Sequence, residues 1–370
     1  MEPKRSARRR AGGGRSSAKL MELLRGDICA GRFVGGSFLP TVRDLSRNHR
    51  LAPKTVLRAL KKLEADGLIA AEPRQGYRVC ARANDPSNGA PIAYVLSTRD
   101  DPQSWDAVHR QLLLAFQRAA TRRGWPLVGM SSDGRSQATV VRHLLAMRAC
   151  GVVLDTIDSE LLSLIRKAGL PALMVDSWRE DPGLDSVVQD NHNGGAMAAA
   201  HLAGKGHRRV GWFGPLAATF HSRERFGGAM AGLAQAGLDM PPELRIEVGS
   251  LAEAPEKARA LLSTPDRPTA VLALWTEMAG ALAAAARDLG LAIGRDLDIV
   301  GWSQEELHAS YYRLTMGDGP LPPAVVWSVA AMAETAVARL AERRANPDMP
   351  VVQIRIPTRL ELGDRQEVTR

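Results

Sequence analysis

The chain has 370 residues, a net charge of +9 and three cysteines. This length exceeds that of an ordinary single domain, so we expect two or three compact units. Hydrophobic residues make up 45% of the sequence and charged residues 24%, which argues against a disordered or fibrous chain. The cysteines show no CxxC or Cys/His spacing, which argues against a disulfide framework and a zinc site. The sequence therefore predicts a globular protein with no metal and no cofactor.

Targeting signals are not apparent in the sequence. No segment approaches the roughly 20 consecutive apolar residues that a membrane span needs. The basic N-terminus is not followed by the apolar core of a signal peptide. We therefore expect a cytoplasmic protein without a membrane partner.

The positive charge is concentrated at one end of the chain. Lys and Arg greatly outnumber Asp and Glu in residues 1–83, whereas the remainder carries a small acidic excess. A positive field confined to one end predicts a polyanionic partner for that end. Residues 1–16 are rich in Arg and Gly and are predicted to be a disordered basic arm. Whether this arm contacts DNA phosphates or is only solvated remains open at this point.

Residues 17–82 show the pattern of a small helical domain that ends in a hairpin. An amphipathic first helix is followed by a short helix that begins after Thr41, a suitable N-cap. A further helix begins at Pro53 and ends at Gly67, which suits a C-terminal cap. Residues 68–79 then read as a short hairpin, a wing with basic residues at its tip.

The helix that begins at Pro53 has an apolar face and a polar face. Val56, Leu60 and Leu63 form its buried stripe, and basic side chains project elsewhere. The earliest of them lie at the helix N-terminus, where a recognition helix meets base edges and phosphates. The candidate DNA-contacting residues are Arg43, Lys54, Thr55, Arg58, Arg74, Gln75 and Gly76.

These segments resemble the GntR family of winged helix-turn-helix regulators. The family motifs stand here as LPTVRDL, TVLRAL, GLI and GYRV, at residues 39–45, 55–60, 67–69 and 76–79. The resemblance implies that double-stranded DNA is the partner of this domain. One departure concerns Ala52-Pro53, which stand where many members have Ser-Arg, so the base-reading arginine of those members is absent.

A polar stretch containing Pro and Gly, residues 83–91, is predicted to be a linker to a second domain at residues 92–370. In that domain apolar strands alternate with helices, and buried strands joined by helical crossovers predict an α/β fold with a doubly wound parallel sheet. The domain is too long for one sheet, so we expect two lobes with a cleft between them. The predicted strands are residues 92–97, 125–131, 151–155, 171–176, 208–213, 270–274 and 297–302.

The motifs of common enzymes are absent from the sequence. No GxGxxG follows a predicted strand, and GxxxxGK[ST], HExxH and GxSxG do not occur. We therefore expect no enzymatic activity. Two rival hypotheses are an aminotransferase-like C-terminal domain and a solute receptor. The first needs a cofactor lysine in a fitting motif, which Lys167, Lys205 and Lys257 lack, and the second needs a signal peptide.

From Val187 onward the sequence resembles the effector domain of the LacI/GalR family, which has the fold of periplasmic sugar-binding proteins. The motifs that carry the resemblance are DN, HLAGKGHRRV, RFGGA, IVGWS and PTRL, at residues 190–191, 201–210, 225–229, 299–303 and 357–360. The resemblance implies that Arg225 lies in the interlobe cleft and hydrogen-bonds the effector, for which its fork of donors is suited. His207 is interpreted as a structural residue.

Two departures from that family concern the effector. Trp275-Thr276 replace an Asn-Asp pair, and Ser303 replaces an Asp that grips sugar hydroxyls in the family. The resemblance still favours a pentose or hexose, and Trp275 either stacks on a planar ligand or fills space. The candidate effector-binding residues are Arg225, Trp275, Ser303, Asp155 and Asp190.

Together these patterns predict a transcriptional regulator, a repressor, whose affinity for DNA responds to a small molecule. A palindromic operator requires a homodimer. Because a linker stands where the LacI/GalR family has a hinge helix, we expect the effector domains to dimerise. The alternative is a degenerate effector domain that serves only dimerisation.

Overall fold

The computed structural model describes residues 12–29, 33, 36–66, 68–73, 75–80, 90–96, 107–132, 134–155, 159–177, 183–216 and 219–364. The chain divides into two compact units, Met1–Pro91 and Ile92–Arg370. In the described part of the chain, no helix is long and apolar enough to cross a membrane. The same residues contain no group of three or more His, Cys, Asp or Glu side chains arranged to hold a metal ion.

The first unit is a winged helix. Its helices are α1 (Gly12–Cys29), α2 (Val42–His49) and α3 (Pro53–Ala65), and its hairpin consists of β1 (Ile69–Glu72) and β2 (Gly76–Val79). The hairpin is antiparallel, and the backbone N–H of Val79 also donates to Ser37 O (2.8 Å), which adds a short third segment to the wing. The core is apolar and includes Leu20, Leu24, Ile28, Leu45, Val56, Leu60, Leu63, Ile69 and Val79.

The start of α1 corrects the predicted extent of the basic arm. The expected arm covered residues 1–16, but the helix begins at Gly12. Three glycines at its start cost about 1 kcal/mol each relative to alanine, which disfavours a helix without forbidding it. Ser17 is buried and so ties this turn to the domain. Residues 1–11 lie outside the described residues.

The second unit has two lobes, each built on a six-stranded sheet in the described residues. The N-lobe sheet has the order β13-β7-β6-β5-β3-β4, and all of its pairs are parallel. Its strands are β3 (Ile92–Leu96), β4 (Leu127–Ser131), β5 (Gly151–Asp155), β6 (Ala172–Val175), β7 (Asp185–Gln189) and β13 (Gln353–Ile356). The helices α4 (Ala107–Arg122), α5 (Gln137–Ala146), α6 (Ser159–Lys167) and α13 (Val329–Ala345) accompany this sheet.

The C-lobe sheet has the order β14-β12-β11-β10-β8-β9, and only the β12–β14 pair of the described strands is antiparallel. Its strands are β8 (Val210–Phe213), β9 (Arg245–Ile246), β10 (Ala270–Ala273), β11 (Asp298–Gln304), β12 (Ala324–Trp327) and β14 (Thr358–Glu361). Its helices are α7 (Asn191–Gly204), α8 (Phe220–Gln235), α9 (Ala254–Leu262), α10 (Thr276–Asp288), α11 (Glu305–Leu307) and α12 (Arg313–Met316), with short non-α turns at Pro242–Leu244 and His308–Tyr312.

The chain passes between the lobes at three places. It enters the C-lobe between β7 and α7, returns to the N-lobe between β12 and α13, and leaves again between β13 and β14. The parallel, doubly wound, two-lobed architecture predicted from the alternation of strands and helices is confirmed. In such sheets ligands bind beyond the carboxyl ends of the strands, so the cleft between the lobes is the candidate site.

Two strands of the N-lobe, β7 and β13, were not predicted, nor were β9, β12 and β14 of the C-lobe. We expected only a helix between the strand near Pro171 and the strand near Arg208, but β7 precedes α7 there. The sequence of β7, DSVVQ, has polar ends and is too short to show a period. Pairing with β6 on one side and with β13 on the other stabilises it. The sequence neighbours of β7 do not reveal β13, because β13 lies far along the chain.

Candidate functional site

The N-terminal unit presents a basic face on α3. Val56, Leu60 and Leu63 are fully buried, as the apolar stripe predicted. On the other side Lys54 and Arg58 are exposed, together with Lys61 and Lys62, and Thr55 is half-buried. Pro53 occupies the first turn, and the preceding Ala52 offers no side-chain cap. Pro53 carries no N–H and Thr55 N–H donates to Ala52 O (2.8 Å), so the helix dipole and the exposed basic side chains suit this end to phosphate oxygens.

Helix α2 supports this face and carries Arg43, which is exposed. Thr41 Oγ1 accepts a hydrogen bond from the backbone N–H of Asp44 (3.2 Å), as the predicted N-cap requires. A hydrogen bond from the Thr41 hydroxyl lowers the pKa of Asp44, and Arg47 lies 2.8 Å from its carboxylate. Thr41 and Arg47 contact the Asp44 carboxylate, whereas Arg43 acts on it through its charge and stays exposed.

The wing is a three-residue turn between Glu72 and Gly76, which pair across the hairpin. Gln75 and Gly76 are exposed, and Gly76 has a φ of 115°, a conformation that favours glycine. Arg74 lies outside the described residues. The exposed basic side chains and the wing tip have the residue types that duplex DNA recognition needs, but the side chains that would specify bases remain a prediction.

In the C-terminal unit, Arg225 lies in the second turn of α8 and is 3% exposed. A reciprocal capping box between Thr219 and Ser222 starts this helix. The helix packs closely on α7, because a Cβ added at Gly228 would lie 1.9 Å from His192 O and one at Gly195 would lie 2.2 Å from Arg225 O. The two glycines therefore allow the backbone contact that brings Arg225 to the cleft.

The guanidinium of Arg225 is held by protein acceptors from three parts of the unit. Its Nε donates to Asn191 Oδ1 (2.8 Å), Nη1 to Leu274 O (2.6 Å) and Nη2 to Gln189 Oε1 (3.1 Å). Its Cζ lies 3.8 Å from the centre of the Trp302 ring, a cation–π contact. Burial lowers the pKa of Arg225 to about 9, which leaves the group charged at neutral pH.

Gln189 connects this arginine to the N-lobe. Its Oε1 also accepts from Trp302 Nε1 (2.8 Å), and its Nε2 donates to Asp176 Oδ1 (2.8 Å). His221 Nε2 lies 3.2 Å from the same Asp176 oxygen. Although burial raises the pKa of Asp176, His221, Arg225 and the hydrogen bond from Gln189 together hold it below its usual value. We call Gln189, Asp176, His221, Arg225 and Trp302 the lobe-bridging network.

The other predicted effector residues are placed differently. Trp275 is partly exposed just before α10, next to Leu274, whose carbonyl accepts from Arg225. Ser303 is buried beside Trp302, and its hydroxyl donates to Gln304 O (3.3 Å). The structure thus brings Arg225, Trp275 and Ser303 into one region.

The two predicted aspartates are already in contact with protein groups. Asp155 is buried at the end of β5 and accepts a hydrogen bond from the Tyr94 hydroxyl. Asp190 accepts from Asn193 Nδ2 (2.6 Å) and lies 3.4 Å from Arg355 Nη1. A ligand that bound either carboxylate would therefore share it with these protein groups.

Sequence reasoning missed the other members of the lobe-bridging network. Asp176 ends a predicted strand and could have been found by that position. Gln189 could not, because its strand was not predicted. His207, interpreted as structural, lies at the start of β8 and contacts Asp298 Oδ2 (2.6 Å) and Thr269 Oγ1 (2.9 Å). These contacts tie three strand starts together, at the opposite ends of the strands from Arg225.

Comparisons with known proteins agree with this architecture. Residues 16–79 match the bacterial regulatory proteins of the gntR family, and residues 199–364 match a periplasmic binding protein-like domain. The HTH-type transcriptional repressor PurR of Photobacterium profundum is 26% identical over 289 residues, covering 74% of this chain and 84% of that protein. The ribose operon repressor of Escherichia coli (strain K12) is 29% identical over 215 residues, covering 55% of this chain and 64% of that protein.

A solved structure shares the fold. The lac repressor dimer bound to operator and the anti-inducer ONPF superposes with a TM-score of 0.62 at 20% identity, covering 77% of this chain and 96% of that chain. The chain therefore combines a winged helix-turn-helix domain of the GntR family with a periplasmic-binding-protein-like domain. Its C-terminal domain is similar in sequence to that of the PurR repressor and shares its fold with the lac repressor.

Proposed function

We propose that the protein is a sequence-specific DNA-binding transcriptional regulator, a repressor, whose operator affinity is modulated by a small molecule bound between the lobes of its C-terminal domain. It works as a homodimer on a palindromic operator, in the cytoplasm where the DNA lies. The curated relatives named above are repressors rather than enzymes.

One observation carries this proposal. A basic, exposed recognition helix occurs in the same chain as a two-lobed domain whose lobes meet through a buried polar network. The basic helix suits phosphate binding. The two-lobed domain can adopt more than one arrangement of its lobes, and a ligand can bind one of these more tightly than another. A ligand changes DNA affinity only through its different affinities for those arrangements.

A sugar is the effector class that the relatives favour, since one of them is a ribose operon repressor. Trp275 is a partly exposed aromatic residue next to Leu274, whose carbonyl accepts from Arg225, and Ser303 supplies a buried hydroxyl next to Trp302 near the end of β11. Aromatic faces and hydroxyl groups are the residue types that hold sugars in cofactor and ligand sites.

The alternative, a C-terminal domain that serves only dimerisation, is favoured by one observation. Each nitrogen of the Arg225 guanidinium already donates to a protein acceptor. An effector that Arg225 binds would therefore have to use the second N–H of Nη1 or Nη2, or displace one of these acceptors. A thermal-shift screen of the full chain against pentoses, hexoses and nucleobases separates the two functions, because only an effector domain gains stability from a ligand.

The DNA-binding assignment is tested by selecting duplexes from a random library with the full chain. Lys54→Ala and Arg58→Ala should each weaken binding to the selected duplex, by about 1–3 kcal/mol where the side chain reads a base bidentately. Wild-type affinity should also fall steeply as salt rises, because neutralised phosphates release counterions. Lys19→Ala removes the same charge from an exposed position on α1 and is the control. Full duplex binding by a fragment of residues 84–370 would show that the assignment is wrong.

A further inference from the structure

Gln189 lies where the chain first leaves the N-lobe. It is the last residue of β7, and α7 of the C-lobe begins two residues later at Asn191. Its side chain is 3% exposed. A primary amide carries an acceptor oxygen and a donor nitrogen, and burial requires that both find partners. The position therefore places between the lobes one amide whose oxygen requires a donor and whose nitrogen requires an acceptor.

The partners of Gln189 determine which way its amide points. Its oxygen faces two donors of the C-lobe, Arg225 Nη2 on α8 and Trp302 Nε1 on β11, at 3.1 and 2.8 Å. Its nitrogen faces an acceptor of the N-lobe, Asp176 Oδ1, at 2.8 Å. The reversed amide would set its N–H groups against two donors and its oxygen against a carboxylate. Only the observed orientation satisfies both lobes.

A second contact between the lobes depends on the same carboxylate. Asp176 follows β6 of the N-lobe, and His221 Nε2, on α8 of the C-lobe, lies 3.2 Å from it. Moving the lobes apart would take His221 and Arg225 away from Asp176, whereas Gln189 lies on the neighbouring N-lobe strand and would stay beside it. The contacts that cross between the lobes are therefore those of Arg225 and Trp302 with Gln189 and that of His221 with Asp176.

We propose that Gln189 is a positioning residue that couples the arrangement of the two lobes to the orientation of Arg225 and Asp176. Its amide lets the lobes meet without placing two donors or two acceptors in contact. The regulatory meaning of this coupling rests on the proposed function, since lobe movement matters to DNA binding only in a regulator. The coupling itself is a property of residues 92–364 and is measurable without DNA or effector.

The test is a distance measurement between spin labels in the full chain. The labels are placed at Leu145→Cys on α5 and Leu251→Cys in the C-lobe, which are 49% and 48% exposed, in a chain whose native cysteines are replaced by alanine. Gln189→Glu is compared with Gln189→Leu and with Trp302→Phe, which keeps the ring over Arg225 but removes the indole donor. Gln235→Glu, an exposed amide near the end of α8, is the matched control.

The expected result is specific to an amide that both accepts from the C-lobe and donates to Asp176. With Gln189→Leu the distance distribution should broaden or shift by several ångström at every pH, and with Trp302→Phe it should change less. Gln189→Glu should deviate at about pH 8 and return toward the wild-type distribution below about pH 4, under the ordinary glutamate pKa of about 4.3, because a protonated carboxyl has one donor and one acceptor like the amide. The charged groups that face this position in the described residues are Asp176, His221 and Arg225, so wild type is measured over the same pH range as the reference.

Two outcomes would overturn the proposal. One is a wild-type distance distribution in both Gln189 variants at every pH, and the other is a Gln189→Glu variant that deviates equally at both ends of the range. If Gln189→Leu does not fold, the comparison of Gln189→Glu at low and high pH still tests the proposal. A failure of the proposed function would appear elsewhere, as a wild-type chain that selects no duplex, and would leave the distance result unaffected.

Discussion

At the scale of a single residue, the guanidinium of Arg225 is held by acceptors on α7, on β7 and at the end of β10. A planar fork of donors can serve three directions at once, which a lysine ammonium on a flexible stem cannot reproduce. The family resemblance predicts an effector contact for this residue, and the structure adds a structural one. Arg225 can hold the protein together and also bind the effector only if the effector uses guanidinium N–H groups that do not donate to the protein.

We therefore expect Arg225→Ala to destabilise the chain by about 3–5 kcal/mol, because removing one partner of a buried charged network leaves the others unpaired. Arg225→Lys should recover less than half of that loss. Chemical denaturation of the full chain, followed by circular dichroism, measures the difference, with Arg208→Ala as the control at an exposed arginine. If Arg225→Ala were as stable as wild type, Arg225 would have no structural role and only the effector contact would remain for it.

At the scale of elements, a buried ion cluster joins β7 to α13. The Asp185 carboxylate is 1% exposed and lies 3.0 Å from Arg339 Nη2 and 2.9 Å from Arg343 Nε. It also accepts from the backbone N–H of Val352 (3.0 Å), just before β13. The cluster thus connects β7 with α13 and with the start of β13, where the chain has returned from the C-lobe.

Asp185→Asn should cost about 3–5 kcal/mol at neutral pH, since two arginines lose their common anion. Burial alone would raise the pKa of Asp185. Hydrogen bonds from Arg343, Arg339 and Val352 lower it by more than burial raises it, so the net shift is downward. A depressed pKa stabilises the fold above the unfolded value of about 3.9, and this advantage is lost as pH falls through the folded value. The gap between wild type and variant should therefore close in acid. Asp288→Asn, 68% exposed beside Arg259, is the control.

Most elements of the fold were predictable because apolar runs and helical periods are local signals. The predicted strand at residues 151–155 coincides with β5, and the buried stripe of α3 is as predicted. What could not be predicted depends on residues far apart in the chain. The partners of Gln189 come from β6, α8 and β11, so the sequence could suggest Arg225 for the cleft but not the protein groups that surround it.

At the scale of the whole molecule, the charge distribution assigns different tasks to the two units. Residues 1–83 carry the excess of basic charge, and the rest of the chain is close to neutral. Two copies of a strongly basic domain repel each other in the absence of a polyanion. A symmetric operator nevertheless requires two copies with a defined half-site spacing. The contacts that hold the dimer together are therefore expected in the larger, nearly neutral unit.

We predict that the full chain and a fragment of residues 92–370 are both dimers at micromolar concentration without DNA, and that a fragment of residues 1–83 is a monomer. A stable homodimer buries about 800 Å² or more per partner, and we expect the larger unit to supply this area. Raising the salt concentration should leave the dimer of the larger fragment intact while it weakens DNA binding, because charge screening affects only the phosphate contacts strongly. Sedimentation velocity at low and high salt measures all three chains. A larger fragment that sediments as a monomer at micromolar concentration would contradict the prediction and would assign dimerisation to the DNA complex.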